Sequence, residues 1–180
     1  MRLCPLLCAL MVLAGCKKPA APSAPPTGAN TNSAPFVSPG QAYLNRAQPK
    51  LQTMKIQVGP KEIDVEVAIT ATEVATGMMF RTNMLDSEGM LFIFFSPQQR
   101  SFYMKNCIVP LSAAYIDANG VVDEIVDLHP GVEEPVPSRS HQIKYVLEVP
   151  QGWFQRYGVA PGIVITTEKG PLKKFSGVLH

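Results

Sequence analysis

"KEIDVEVAI", residues 61–69, sets the fold class. Ile63, Val65, Val67 and Ile69 fall on one side of an extended chain, with Glu62, Asp64 and Glu66 on the other. Strand side chains alternate between faces, so this period of two predicts a half-buried antiparallel strand. Gly59-Pro60 immediately before it predicts a tight turn, which pairs the strand with Leu51–Val58 as a hairpin.

The residues that follow carry a helix start. Thr70 and Glu73 are spaced as a capping box, Ile69 and Val74 as its hydrophobic staple, and Gly77 as the stop. Further strands are predicted over Met90–Phe95, Ser101–Lys105, Leu111–Asp117, Val121–Asp127, Ile143–Val149 and Ile163–Thr167, with Asn119-Gly120 as a hairpin turn. Gln151–Tyr157, closed by Gly158, reads as a second short helix. Many short strands with few helical turns predict a mainly β, single compact antiparallel β-sandwich or barrel-like domain over residues 50–167. That length supplies one core and not two. Residues 168–180 form a basic tail without clear pattern.

In the other direction the texture changes. Residues 16–49 are rich in Pro, Ala, Ser and Thr and read as a flexible tether, too polar to offset its ordering entropy. It could reach up to about 100 Å at ~3.1 Å per residue. Phe36, Val37, Tyr43 and Leu44 are its apolar exceptions and read as a docking strip, for the domain itself or for a partner.

Residues 1–15 read as an export signal, with Arg2 as the basic end, Leu3–Leu13 as the apolar run and Leu13-Ala14-Gly15 before Cys16. A transmembrane helix needs about 20 apolar residues, and this run is shorter. A cleavage site ending on Cys resembles the lipobox of bacterial lipoproteins, which implies a lipidated Cys16, membrane attachment and a cell-envelope location. Lys17 in place of Asp after that Cys resembles lipoproteins released to an outer membrane, facing the periplasm where the organism has one.

Charge and cysteine count narrow the function. The formal charge is +2, falling to +1 once Arg2 leaves with the signal. That balance gives no electrostatic case for nucleic acid. Cys4 and Cys8 also leave and Cys16 is consumed by lipid, so Cys107 is the lone thiol of the mature chain. It has no partner for an intramolecular disulfide and no company for a cysteine-rich zinc site.

"VEVAITATEVATGMMFR", "GMLFIF", "FYMKNCIVPLSAAYID", "NGVV" and "YVLEVPQG", in that order, resemble the bacterial and archaeal family known as domain of unknown function 192. The likeness covers roughly residues 50–167 and implies one mainly β domain, often exported, with no established reaction. The family pattern falls on Gly77, Met79 and Arg81, on Met104, Lys105 and Asn106, and on Tyr145, Leu147 and Glu148. Two positions depart from it: Cys107 stands where the family usually has Thr, and Ser112 where it usually has Asp. A nucleophile replaced by Thr in relatives points to Cys107 as a small buried hydrophobe.

Arg81, Lys105, Asn106 and Glu148 are the candidate ligand-binding residues, each at the edge of an apolar segment. A planar fork, a point charge, an amide and a carboxylate converging on one cleft suit an anionic or polyhydroxylated ligand. The structural alternative is a fastening in which Glu148 pairs with Arg81 or Lys105. No catalytic motif is recognised. Ser138 and His141 lack a nucleophile elbow, and His129 to His141 lack zincin spacing. Asp117–Gly120 lacks the later ligands of a calcium loop. Met78, Met79, Met84, Met90 and Met104 read as core filler. No cofactor or metal is expected. The leading expectation is a lipid-anchored binding or interaction module of the envelope. The alternatives are an envelope enzyme using Glu148 beside Lys105 or Arg81, and a structural partner in an envelope protein complex.

Overall fold

The computed structural model describes residues 43–174. The signal segment, Cys16, Phe36, Val37 and the last six residues lie outside the described residues.

Ten strands follow in chain order: β1 (Thr53–Val58), β2 (Lys61–Ala68), β3 (Glu88–Gln98), β4 (Ser101–Phe102), β5 (Leu111–Asp117), β6 (Val122–Leu128), β7 (Val136–Pro137), β8 (Ile143–Pro150), β9 (Thr166–Thr167) and β10 (Gly170–Pro171). Two short helices, α1 (Ala71–Thr76) and α2 (Trp153–Arg156), interrupt them. Eight strands make one sheet in the order β10-β9-β1-β2-β3-β8-β5-β6, and β4 pairs with β7 as a separate ribbon. The mainly β class expected from the sequence is what the fold shows, with an open sheet rather than a closed barrel.

The β1–β2 hairpin is in the register its alternation requires, with Val58 opposite Lys61. One pairing departs from the antiparallel expectation: β2 and β3 run parallel. A parallel pair cannot be joined by a tight turn and needs a crossover. The connection from residue 69 to residue 87 supplies it and carries α1. Thr70 caps α1 as expected, with its Oγ1 accepting from Glu73 N and the Glu73 carboxylate accepting from Thr70 N at 2.9 Å. Gly77 ends it at φ 46°, a conformation that a side chain disfavours, and a Cβ there would lie 3.3 Å from the Phe92 ring.

Both faces of the central strands are covered, which is why β3, β5 and β8 read as continuous apolar runs rather than alternating ones. On one face Val65, Leu91, Ala114, Leu147 and Val149 pack beneath Trp153 and Phe154 of α2. Trp153 is fully buried, and its indole N–H donates to the Asp86 carbonyl at 2.8 Å. On the other face Met90, Phe92, Ala113, Tyr115 and Val146 lie against Met78, Met104 and Phe102. The second cover is built of α1, its exit and the β4 region. A cavity remains between it and the sheet.

The chain ahead of the sheet binds the second cover. Leu44 N donates to Thr76 Oγ1 at 3.1 Å, and Gln48 Nε2 donates to the Gly77 and Glu73 carbonyls at 2.9 and 3.2 Å. Tyr43 and Leu44 of the expected docking strip therefore lie on the domain itself.

Candidate functional site

The cavity measures ≈ 60 Å³. One water requires about 10–15 Å³ on this kind of measure, so the space suits a small molecule. Its walls come from Val74 to Met79, Phe92 and Phe94 of β3, the Gln99–Tyr103 segment, Cys107, and Glu148 of β8.

Glu148 reaches it through strand register. On β8 it lies opposite Met90 of β3 on one side and Ala113 of β5 on the other, so its side chain shares their face. Two apolar neighbours in a central strand leave it 4 % exposed, with no hydrogen-bonding or charged partner among the described residues. Burial alone raises its carboxyl to about 8, so the acid holds its proton at neutral pH. The same carboxyl raises nearby Cys107, whose thiol burial and the Glu148 charge push up to about 12. Cys107 is thus an unreactive wall of the cavity.

Arg100 enters from the connection between β3 and β4. Its backbone is held on both sides by Ser138, which accepts from Arg100 N through Oγ at 3.0 Å and donates its own N–H to the Arg100 carbonyl at 2.7 Å. Arg100 is only 3 % exposed, and its guanidinium lies 3.7 Å from the Phe94 ring centroid and donates through Nη2 to the Ser96 carbonyl at 2.6 Å. Nε and Nη1 are buried without partners, as is the neighbouring Ser101 Oγ. No carboxylate pairs with this cation among the described residues. Desolvation lowers Arg100 to about 10, still charged at neutral pH. Neither Glu148 nor Arg100 shifts on account of the other, so the two line one cavity without forming a pair.

The other three sequence candidates do not converge with Glu148. Arg81 forks onto Glu66, Nη1 to Oε1 at 2.6 Å and Nη2 to Oε2 at 2.8 Å. Lys105 is half-buried and turns to Tyr43, its Nζ 5.4 Å from that ring centroid, with a pKa raised by the Tyr43 hydroxyl. Asn106 takes a left-handed turn at φ 55°, accepts from Phe80 N at 2.8 Å, and approaches Met79 Sδ through Nδ2 at 3.9 Å. Asn tolerates that conformation better than most residues, and here it braces the cavity wall. The fastening expected between Glu148 and Arg81 or Lys105 is likewise absent from the described residues.

Arg100 and Ser101 escaped the sequence reading because "SPQQRSF" has the composition of a polar surface turn. Its pattern held no signal of burial, since the covering ribbon partner β7 lies more than thirty residues onward. Ser112 fills the family's usual Asp position by donating to Asp127 Oδ1 at 2.5 Å and accepting from Gly152 N at 2.9 Å. Among the described residues no group of three or more His, Cys, Asp or Glu could hold a metal ion.

The family model described as "Uncharacterized ACR", DUF192, matches residues 53–167, which takes in the whole cavity wall and every strand of the sheet but β10. The chain belongs to the DUF192 family. A crystal structure from Sinorhizobium meliloti 1021, described as a "putative transcription regulator", is similar at 27% identity and TM-score 0.64, covering 67% of this chain and 98% of that one. A protein of unknown function from Novosphingobium aromaticivorans is similar at 30% identity and TM-score 0.60, covering 74% of this DUF192 chain and 93% of its own. Among curated proteins none matches.

Proposed function

We propose that this DUF192 protein is a lipid-anchored binding module of the bacterial envelope, tethered through Cys16, whose cavity at Glu148 receives a small polar ligand. One observation carries the reading: buried polar groups from separate elements face an apolar cavity with their hydrogen-bonding capacity unspent. Buried donors are nearly always satisfied, and leaving them unpaired costs roughly 1–3 kcal/mol each. A protein retains such a cost most readily where a ligand supplies the missing partner.

The enzyme alternative loses its electrostatic clamp, because Lys105 turns to Tyr43 and Arg81 is committed to Glu66. The regulator description of the Sinorhizobium protein suits ligand sensing as well as DNA binding. The near-neutral charge of this chain favours the former.

The test is a thermal-shift screen of the full chain in detergent against carboxylates, phosphates, sugars, amines and amides. A specific ligand raises the midpoint by mass action. At least one class is expected to do so, and the shift should vanish in Cys107→Leu, which adds volume to the cavity wall. Silence from every class, or shifts unchanged in Cys107→Leu, would reject the reading.

A further inference from the structure

Resting on the binding reading just given, we infer that the ligand is a small organic monoanion. It would carry a carboxylate for Arg100 and Ser101, a short apolar body, and an acceptor oxygen for the Glu148 carboxyl.

The charge count of the cavity leads to the monoanion. Several other cations have a carboxylate: Arg81 has Glu66, Arg139 has Glu124, Arg156 has Asp86 and Lys55 has Glu62. Arg100 is the most buried of these cations and, among the described residues, has a carbonyl and an aromatic face but no carboxylate. A buried charge without a counter-ion is costly, and a ligand carboxylate bound there would compensate it. Nε and Nη1 together with Ser101 Oγ are three unspent donor atoms on neighbouring residues. Guanidinium and hydroxyl donors suit planar oxyanions.

The body of the ligand follows from the rest of the wall. Phe92, Phe94, Phe102 and Met78 surround the space, so an apolar segment is accommodated and a sugar ring's many hydroxyls would lack partners. At ≈ 60 Å³ the cavity has no room for a second large anionic group. Glu148 does not neutralise Arg100 and, being protonated near neutrality, offers an O–H that donates to an acceptor oxygen of the ligand. Short oxo- or hydroxy-carboxylic acids combine these features. A dianion would exceed the charge available, and an amine would face an unpaired guanidinium.

The backbone amides from Val74 to Met79 make the occupancy measurable, because these residues line the same cavity. Deuterium labelling of those amides in the full chain at pH 6.5, where Glu148 keeps its proton, would be timed in the presence of 2-oxobutyrate, butyrate, 2-oxobutyramide, inorganic phosphate and butylamine. 2-Oxobutyrate is expected to slow labelling most, with butyrate weaker, and the amide at least tenfold weaker in half-saturating concentration. Arg100→Met should abolish the preference for carboxylate over amide. Glu148→Gln, which keeps an N–H donor, should bind 2-oxobutyrate within a few-fold of the native chain, whereas Glu148→Leu should lose the advantage of the oxo group. If Arg100→Met does not fold, Ser101→Ala serves, and the carboxylate-to-amide ratio of the native protein is already decisive. Equal protection by acid and amide, or stronger protection by phosphate or amine, would overturn the carboxylate assignment while leaving a binding cavity in place. Absence of protection by every probe, joined to silence in the thermal screen, would overturn both.

Discussion

Glu148 concentrates the residue-scale argument. Its acid group titrates near 8 in the folded chain and near its ordinary 4.5 when unfolded. The folded state therefore holds a proton that the unfolded chain has released between those values. Stability should be greatest below pH 4.5 as far as this group is concerned, decline as pH rises, and level off above about 8. The whole effect is on the order of a few kcal/mol. Urea unfolding at a series of pH values reads it, and Glu148→Gln should flatten the decline and equal or exceed the native stability at pH 8. A native profile already flat over that range would refute the raised pKa. The Arg81 substitution is expected to destabilise instead. Arg81→Met leaves Glu66 half-buried beside only Leu51 N, and the loss should be about 2–3 kcal/mol, below the 3–5 of a fully buried pair. Cys107→Thr should fold normally, at a cost of about 1–3 kcal/mol if the new hydroxyl finds no partner. Chemical denaturation ranks the three.

At the scale of elements, the strap from Tyr43 to Leu51 and the short helix α1 depend on one another. A six-residue helix is too short to persist alone, and its last carbonyls need partners. Gln48 supplies them from a distant part of the chain, while the cavity wall from Val74 to Met79 follows directly. Gln48→Ala should cost about 1–2 kcal/mol, the value of buried hydrogen bonds lost. Its distinctive effect should be faster amide exchange across residues 74–79, with β5 and β8 unchanged. Uniform acceleration throughout the sheet would show instead that the strap and α1 do not form a local unit.

For the molecule as a whole, the prediction concerns place. Cys16→Ser should move the protein from the membrane fraction to the soluble one, because two or more acyl chains give stable anchoring and removing them leaves a single apolar run that is cleaved or too short to span. Quantitative sedimentation of the Cys16→Ser chain with membranes would reject lipidation as the anchor.

How much of this was legible in the chain follows from the range of each interaction. The β1–β2 hairpin, the Thr70–Glu73 cap and the Gly77 stop depend on residues within a few positions of one another, so alternation and spacing determined them. The family relationship rests likewise on ordered local motifs. The parallel β2–β3 pairing was not legible, because strand direction is chosen by how a crossover packs and not by the pattern of either strand. Glu148 was legible as a polar residue at the edge of an apolar segment, but its lack of a partner among the described residues was decided by Arg81 turning to Glu66 on β2. Arg100 looked like surface, and only the β4–β7 ribbon lying over the sheet made it a buried cation. Burial of a charge is a property of distant segments closing around it, and that closure is what the tertiary structure alone decided.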